Sequence, residues 1–136
     1  MSYALSGPLQ SAVYASLVSD QTLGALVGDA IYDALPAGLL PRIYVQLGSE
    51  SVRDASDGSG DGAFHSLTIS VVSQDAGFAD AKKAATAICD RLQDADLTLS
   101  RGRLISLRFE RGSAKFINAA QVRQIDMRFR ARVQDG

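Results

Sequence analysis

Phe64-His65-Ser66-Leu67-Thr68-Ile69-Ser70-Val71-Val72 carries Leu67, Ile69 and Val71 at every second position, with Ser66, Thr68 and Ser70 between them. A period of two sends alternate side chains to opposite faces, so the stretch is a strand with one face buried. After Gln74-Asp75-Ala76-Gly77 the period changes. Ala81, Ala84, Ala85, Ile88 and Leu92 recur at the spacing of one helix face, while Asp80, Lys82, Lys83, Asp90, Arg91 and Asp94 lie mostly on the other. The strand therefore hands over to a helix. Its contact positions are largely alanine, which lets it lie close across the sheet that the strand joins.

Working outward, Ile125, Met127, Phe129, Ala131 and Val133 alternate with Asp126, Arg128, Arg130 and Arg132, the clearest two-residue period in the chain. Ile105, Leu107 and Phe109 alternate in the same way before Arg111-Gly112-Ser113, which reads as a turn or bulge. Towards the start, Ser6-Gly7-Pro8 is a helix-start signal, a capping residue with a proline in the first turn. Leu9, Ala12, Val13 and Leu17 form the apolar stripe of that helix, which should end near Ser19-Asp20. A helical turn is expected over Thr22 to Val27, then a short extended piece from Ile31 to Leu35, a loop bracketed by Pro36 and Pro41, and a strand opening with Ile43, Val45 and Leu47. Residues 48 to 62 hold four glycines, four serines and three aspartates, and they are expected to form a flexible loop that a partner orders. The fold expected is α+β: a single domain over residues 1 to 136, a mainly antiparallel sheet with two α-helices packed on one face.

With 136 residues, 46% of them apolar and 21% charged, the chain has enough material for one ordinary core. Its single cysteine, Cys89, and single histidine, His65, exclude an intrachain disulfide and a zinc site of Cys and His ligands. From Met1 to Val18 there is no basic start followed by an apolar run, and no eighteen apolar residues stand together, so neither a leader nor a membrane partner is expected. The net charge of -1 divides unevenly: five basic and twelve acidic residues up to residue 96, nine basic and three acidic after it. Such a split suits either nucleic-acid binding or an acidic subunit surface that meets a basic one on its neighbour.

The residues with chemical potential do not assemble into a catalytic site. His65, in phase with Leu67 and Ile69, reads as a partly buried strand-end residue, without the positioned nucleophile and orienting group that a general base needs. Cys89 reads as an inert helix residue, since no cluster of basic neighbours lowers its pKa. Asp57-Gly58-Ser59-Gly60-Asp61-Gly62 matches the first six positions of a calcium loop, but the twelfth position is Thr68 in place of a bidentate glutamate. No catalytic residue, metal or cofactor is therefore expected. Arg128, Arg130 and Arg132 are the charged feature with geometry, three guanidinium groups on one strand face about 7 Å apart. A solvated sheet face, a subunit interface and a surface that tracks phosphates all fit that ladder.

The order of these motifs resembles a known family. The first helix, the turn at Leu23 to Val27, Ile31-Tyr32 leading to Pro36, Pro41-Arg42-Ile43-Tyr44-Val45, Leu67-Thr68-Ile69-Ser70-Val71-Val72-Ser73 with the alanine-rich helix, and Met127-Arg128-Phe129-Arg130-Ala131-Arg132-Val133 together look like the tail terminator, or tail completion, proteins of long-tailed bacteriophages. These occur also in prophages and gene transfer agents. The resemblance implies a structural virion protein without enzymatic activity. It implies a homo-oligomeric ring, usually a hexamer, assembled in the bacterial cytoplasm, that caps the tail tube, stops its polymerisation and joins the tail to the head connector, with DNA only passing through the lumen. On that reading Arg128, Arg130 and Arg132 are candidates to meet Asp20, Asp29 and Asp33 of the next subunit. Arg53, Asp54, Asp57 and Asp61 are candidates for the loop that contacts the tube protein or the head-completion protein. The alternatives are a small basic-faced nucleic-acid-binding module and another head–tail connector component.

Overall fold

A computed structural model of the protein describes residues 3–58 and 60–136. Met1, where the stretch read for a leader begins, and Ser59, third in the calcium-like run, lie outside the described residues. The elements follow in the order α1 (Ser6–Val18), α2 (Gln21–Val27), β1 (Ile31–Tyr32), β2 (Ile43–Asp54), β3 (Asp61–Ser73), α3 (Ala79–Leu92), β4 (Arg103–Ile117) and β5 (Val122–Asp135). The strands form one sheet in the order β1-β2-β3-β5-β4. Only β1 pairs in parallel, and every other neighbour is antiparallel. This is the α+β architecture expected, with α2 as a short third helix.

One continuous core joins the helices to one sheet face. Leu9, Val13 and Leu17 of α1, Leu23 and Val27 of α2, and Ala81, Ala84, Ile88 and Leu92 of α3 pack with Val45, Ile69, Val71, Met127 and Phe129 of the sheet. Ala81 and Ala84 are fully buried, and these small side chains are what bring the α3 backbone close to the strands beneath. At the far side of that layer Phe129 meets the edge of Phe109, ring centres 5.8 Å apart at 81°, the edge-to-face arrangement that aromatic quadrupoles favour. Among the described residues, no helix is long and apolar enough to cross a membrane.

Several local expectations change. Residues 48 to 62, expected as a loop, are mostly strand: β2 runs on to Asp54 and β3 starts at Asp61, leaving 55–60 as the connection. The cause is a bulge. Leu47 pairs with Ile69 and Glu50 with Leu67, so Gly48 and Ser49 together oppose Thr68. The extra residue flips the side-chain phase, and Glu50, Val52 and Asp54 take over the face that Ile43, Val45 and Leu47 held before it. Because the pairing is made by the backbone, its polar side chains do not prevent it. His65 consequently lies inside a strand, not at its end, and is fully buried. Ser6 does not cap α1; Leu5 holds that position, and the Ser6 hydroxyl donates instead to Glu50. Of the two readings of Arg111-Gly112-Ser113, the bulge holds and the turn does not: β4 passes through it with a register shift between Phe109 and Arg111.

Candidate functional site

The sheet face away from the helices is where the exposed chemistry collects. Its far end, near β1, is covered: Tyr44 and Val72 are buried there with Tyr32, Leu40 and Val122 packed against them. In the middle Asp126 is the hub of a polar network. It accepts hydrogen bonds from Ser70 Oγ at 2.5 Å and Gln124 Nε2 at 2.8 Å, and its other oxygen is 3.1 Å from Lys115 Nζ. Partial burial works to raise its pKa, but the bonds from Gln124, Ser70 and Lys115 together outweigh that and hold it below the ordinary aspartate range.

Beyond Asp126 the face becomes cationic. Antiparallel pairing sets Phe64 of β3 opposite Arg132 on one side and Arg53 of β2 on the other, with Ser66 opposite Arg130. The Arg130 guanidinium lies 3.9 Å from the centre of the Phe64 ring, with Arg53 at 5.4 Å and Arg132 at 5.7 Å. Three cations thus share one aromatic quadrupole, each attracted to the ring while repelled by the others. Cross-strand pairing adds Arg108 opposite Arg130 and Arg111 opposite Arg128. Like charges placed directly opposite repel across a sheet, and Arg108 is compensated in part by Asp94, 3.5 Å away.

The hairpin tip bends the acids expected there towards the same patch. Asp57 and Gly60, both in the calcium-like run, form an isolated antiparallel bridge. The Asp57 carboxylate reaches to 3.9 Å from Arg132, and Ser56 Oγ donates to Asp54 at 2.7 Å and to Asp61 at 3.5 Å. Among the described residues, no group of three or more His, Cys, Asp or Glu side chains could hold a metal ion. The structure therefore joins two sets that the sequence treated apart, the ladder of Arg130 and Arg132 and the hairpin residues Arg53 and Asp57.

It separates others. Asp20 is engaged within the subunit: its side chain accepts from the Leu23 backbone N–H at 2.8 Å as the cap of α2, and it lies 3.9 Å from Arg91. Asp29 and Asp33 are exposed near β1, at the opposite sheet edge from β4. The ladder itself is central, because β5 lies between β3 and β4.

A serine, a histidine and a carboxylate do meet on the core side, but in the wrong order for acyl transfer. Glu50 receives the Ser6 hydroxyl on one oxygen and faces His65 Nδ1 at 3.2 Å with the other. In a nucleophilic triad the hydroxyl must bond the imidazole; here both bond the carboxylate, and His65 Nε2 is buried with no hydrogen-bond partner among the described residues. The trio ties the start of α1 to the β2–β3 hairpin. Cys89 is likewise unactivated, its thiol pKa raised by burial and then by the charge of Asp90.

The sequence model of the family described as Tail completion protein gp17 matches residues 11–134. The chain belongs to this family. It is a structural tail protein of the phage type, and the resemblance to tail terminator proteins of phages and gene transfer agents holds. Among solved structures, a chain from the "Virion of native gene transfer agent (GTA) particle" is 55% identical, with a TM-score of 0.93, covering 98% of this tail completion protein and 99% of that chain. No curated protein matches. Phe64 is the site residue that sequence reasoning missed, although its position on the serine and threonine side of β3 was a visible signal.

Proposed function

We propose that this tail completion protein closes into a ring of six on the end of a tail tube, halts its growth, and docks its arginine-lined sheet face on an acidic surface of the adjoining tube or connector protein. The ring is assembled in the bacterial cytoplasm and becomes part of a phage-like particle, with DNA passing through the lumen. The family and the likeness to a virion chain support that setting. The observation that carries the docking role is the gathering of Arg53, Arg130 and Arg132 around Phe64, on a face that the helices leave open. A central face suits a partner that approaches along the ring axis better than a neighbour within the ring. This moves Arg128, Arg130 and Arg132 from the subunit contact expected of them to the docking surface. Nucleic acid is the weaker reading, because Arg130 already lies over the ring on which a base would stack.

The variant Arg130→Glu with Arg132→Glu tests the proposal. Both side chains are exposed, so folding and ring formation are expected to survive, while electron microscopy of tails made with the variant should show overlong or headless particles. Tails of normal length joined to heads would refute the docking role. Binding of the unmodified protein to DNA, with a salt slope that falls by about 2 in the double variant, would favour the nucleic-acid reading instead.

A further inference from the structure

The two edges of the sheet are unlike each other in a complementary way. β4 carries Arg103, Arg108, Arg111 and Lys115 against the single acid Glu110. Residues 19 to 41, which surround β1, hold Asp20, Asp29 and Asp33 and no basic residue. Exposed apolar side chains stand at both edges as well: Ile105, Phe109 and Phe116 on β4, and Tyr14, Leu35 and Leu39 around β1, with Leu39 at 100% exposure. Tyr14 lines one cavity with Ile31, Tyr32 and Asp33.

The outer edge of β4 is also divided. Near its middle the preceding loop covers it, with the Asp94 N–H donating to Leu107 O at 2.9 Å and the Phe109 N–H donating to Gln93 Oε1 at 2.9 Å. From Arg111 to Ile117 no backbone bond reaches that edge from the described residues outside β5. This open half is level with β1. Following the pairing across the sheet, Ile31 of β1 leads through Val45, Val71 and Ile125 to Ala114, and Tyr32 leads through Gln46, Ser70 and Asp126 to Ser113. An open strand edge with exposed apolar groups is one that proteins cover or charge. Here the charge is basic, and the surface at the same level on the other edge is acidic.

We infer that the occupant of the open half of β4, Arg111 to Ile117, is a second copy of this chain, presenting the acidic end around β1 with Asp29 and Asp33. Two different surfaces on opposite edges make a head-to-tail contact, which closes as a ring when the rotation per subunit permits. The inference rests on the proposed ring and names its contact. Arg111, opposite Arg128, and Lys115, 3.1 Å from Asp126, lie at the β4 rim of the open sheet face, so this contact adjoins the axial docking surface. Exposed ion pairs are individually weak, so Phe116 in the open half of β4 and Leu35 and Leu39 around β1 supply the desolvation, and the charges select the partner edge and the orientation.

The test uses two variants of the full chain, Arg111→Glu with Lys115→Glu, and Asp29→Lys with Asp33→Lys, with circular dichroism to establish that each is folded. Native mass spectrometry of the unmodified protein, alone and on tail tubes, gives the reference. Each variant by itself sets like charges against each other and is expected to lose the ring, whereas an equal mixture restores alternating pairs and should recover rings of even number only. If the unmodified protein forms rings and either variant also does so unaided, this contact is wrong and the ring stands. A mixture that fails to reassemble likewise overturns the contact. An unmodified protein that never forms a ring, alone or on tubes, overturns the proposed ring and this contact with it.

Discussion

Replacing Glu50 with alanine probes the polar trio under α1, and its effect can be worked from the geometry. The substitution removes the acceptor of the Ser6 hydroxyl and the only side-chain partner of His65 among the described residues, 3.2 Å away. His65 is fully buried and Nε2 has no partner among the described residues, so the imidazole would be left with neither nitrogen satisfied by them. A newly unpaired buried polar group costs about 1–3 kcal/mol, and the lost serine bond about 0.5–1.5 more, of which a partly exposed hydroxyl recovers some from water. The expected loss is about 2–3 kcal/mol, a large share of a stability of order 10 kcal/mol. With a urea slope of about 1.5 kcal/mol per molar, the unfolding midpoint should fall by about 1–2 M at unchanged slope. The decisive comparison is the double variant Glu50→Ala with His65→Leu, measured at low protein concentration to keep assembly out of the equilibrium. Removing the imidazole removes its need for a partner, so the double variant should regain at least about 1 kcal/mol over the single one. A Glu50→Ala variant within about 0.5 kcal/mol of the unmodified protein, or a double variant no better than the single, would refute the idea that Glu50 is there to satisfy His65.

Two further outcomes follow from packing and titration. Ala84→Leu inserts bulk where α3 lies fully buried against the sheet and should destabilise by about 1–3 kcal/mol in the same urea assay, while the exposed control Lys83→Ala should stay within about 0.5. The folded-state pKa of Asp126 is depressed, so its contribution is fully present above the unfolded value near 3.9 and is lost as pH falls through the lower folded value. Stability measured from pH 7 to pH 2 should therefore drop more steeply below about pH 4 in the unmodified protein than in Asp126→Asn; identical acid limbs would show that the Ser70, Gln124 and Lys115 bonds do not favour the charged form.

What was legible in the sequence depended on whether the period survived. β5, the second half of β3 and α3 keep theirs, and their faces were read correctly at Ile69, Met127, Ala84 and Leu92. β2 was cut short because Gly48 and Ser49 share one partner, so alternation resumes in the opposite phase with Glu50 and Val52, and polar composition hid the change. The arginine ladder was visible along one strand, but its gathering around Phe64 depends on registers with two other segments, which no local pattern encodes. Asp20 was a different kind of miss: an aspartate three residues before Leu23 at a helix start is a cap position, and that signal competed with its charge.

The central placement of β5 has a consequence for biosynthesis. It pairs with β3 and β4 along nearly its whole length, yet it is translated after both. At about 5–20 residues per second, a nascent chain holds the completed β2–β3 hairpin for several seconds before the strand that covers its flank is made. Until then Ser70 has no Asp126, Phe64 has no Arg130 above it, and the rows that link β1 to β4 do not exist. A nascent chain whose β5 has not yet been inserted therefore presents neither the proposed docking face nor the two proposed matching edges, so on that reading competence to assemble arrives only with β5.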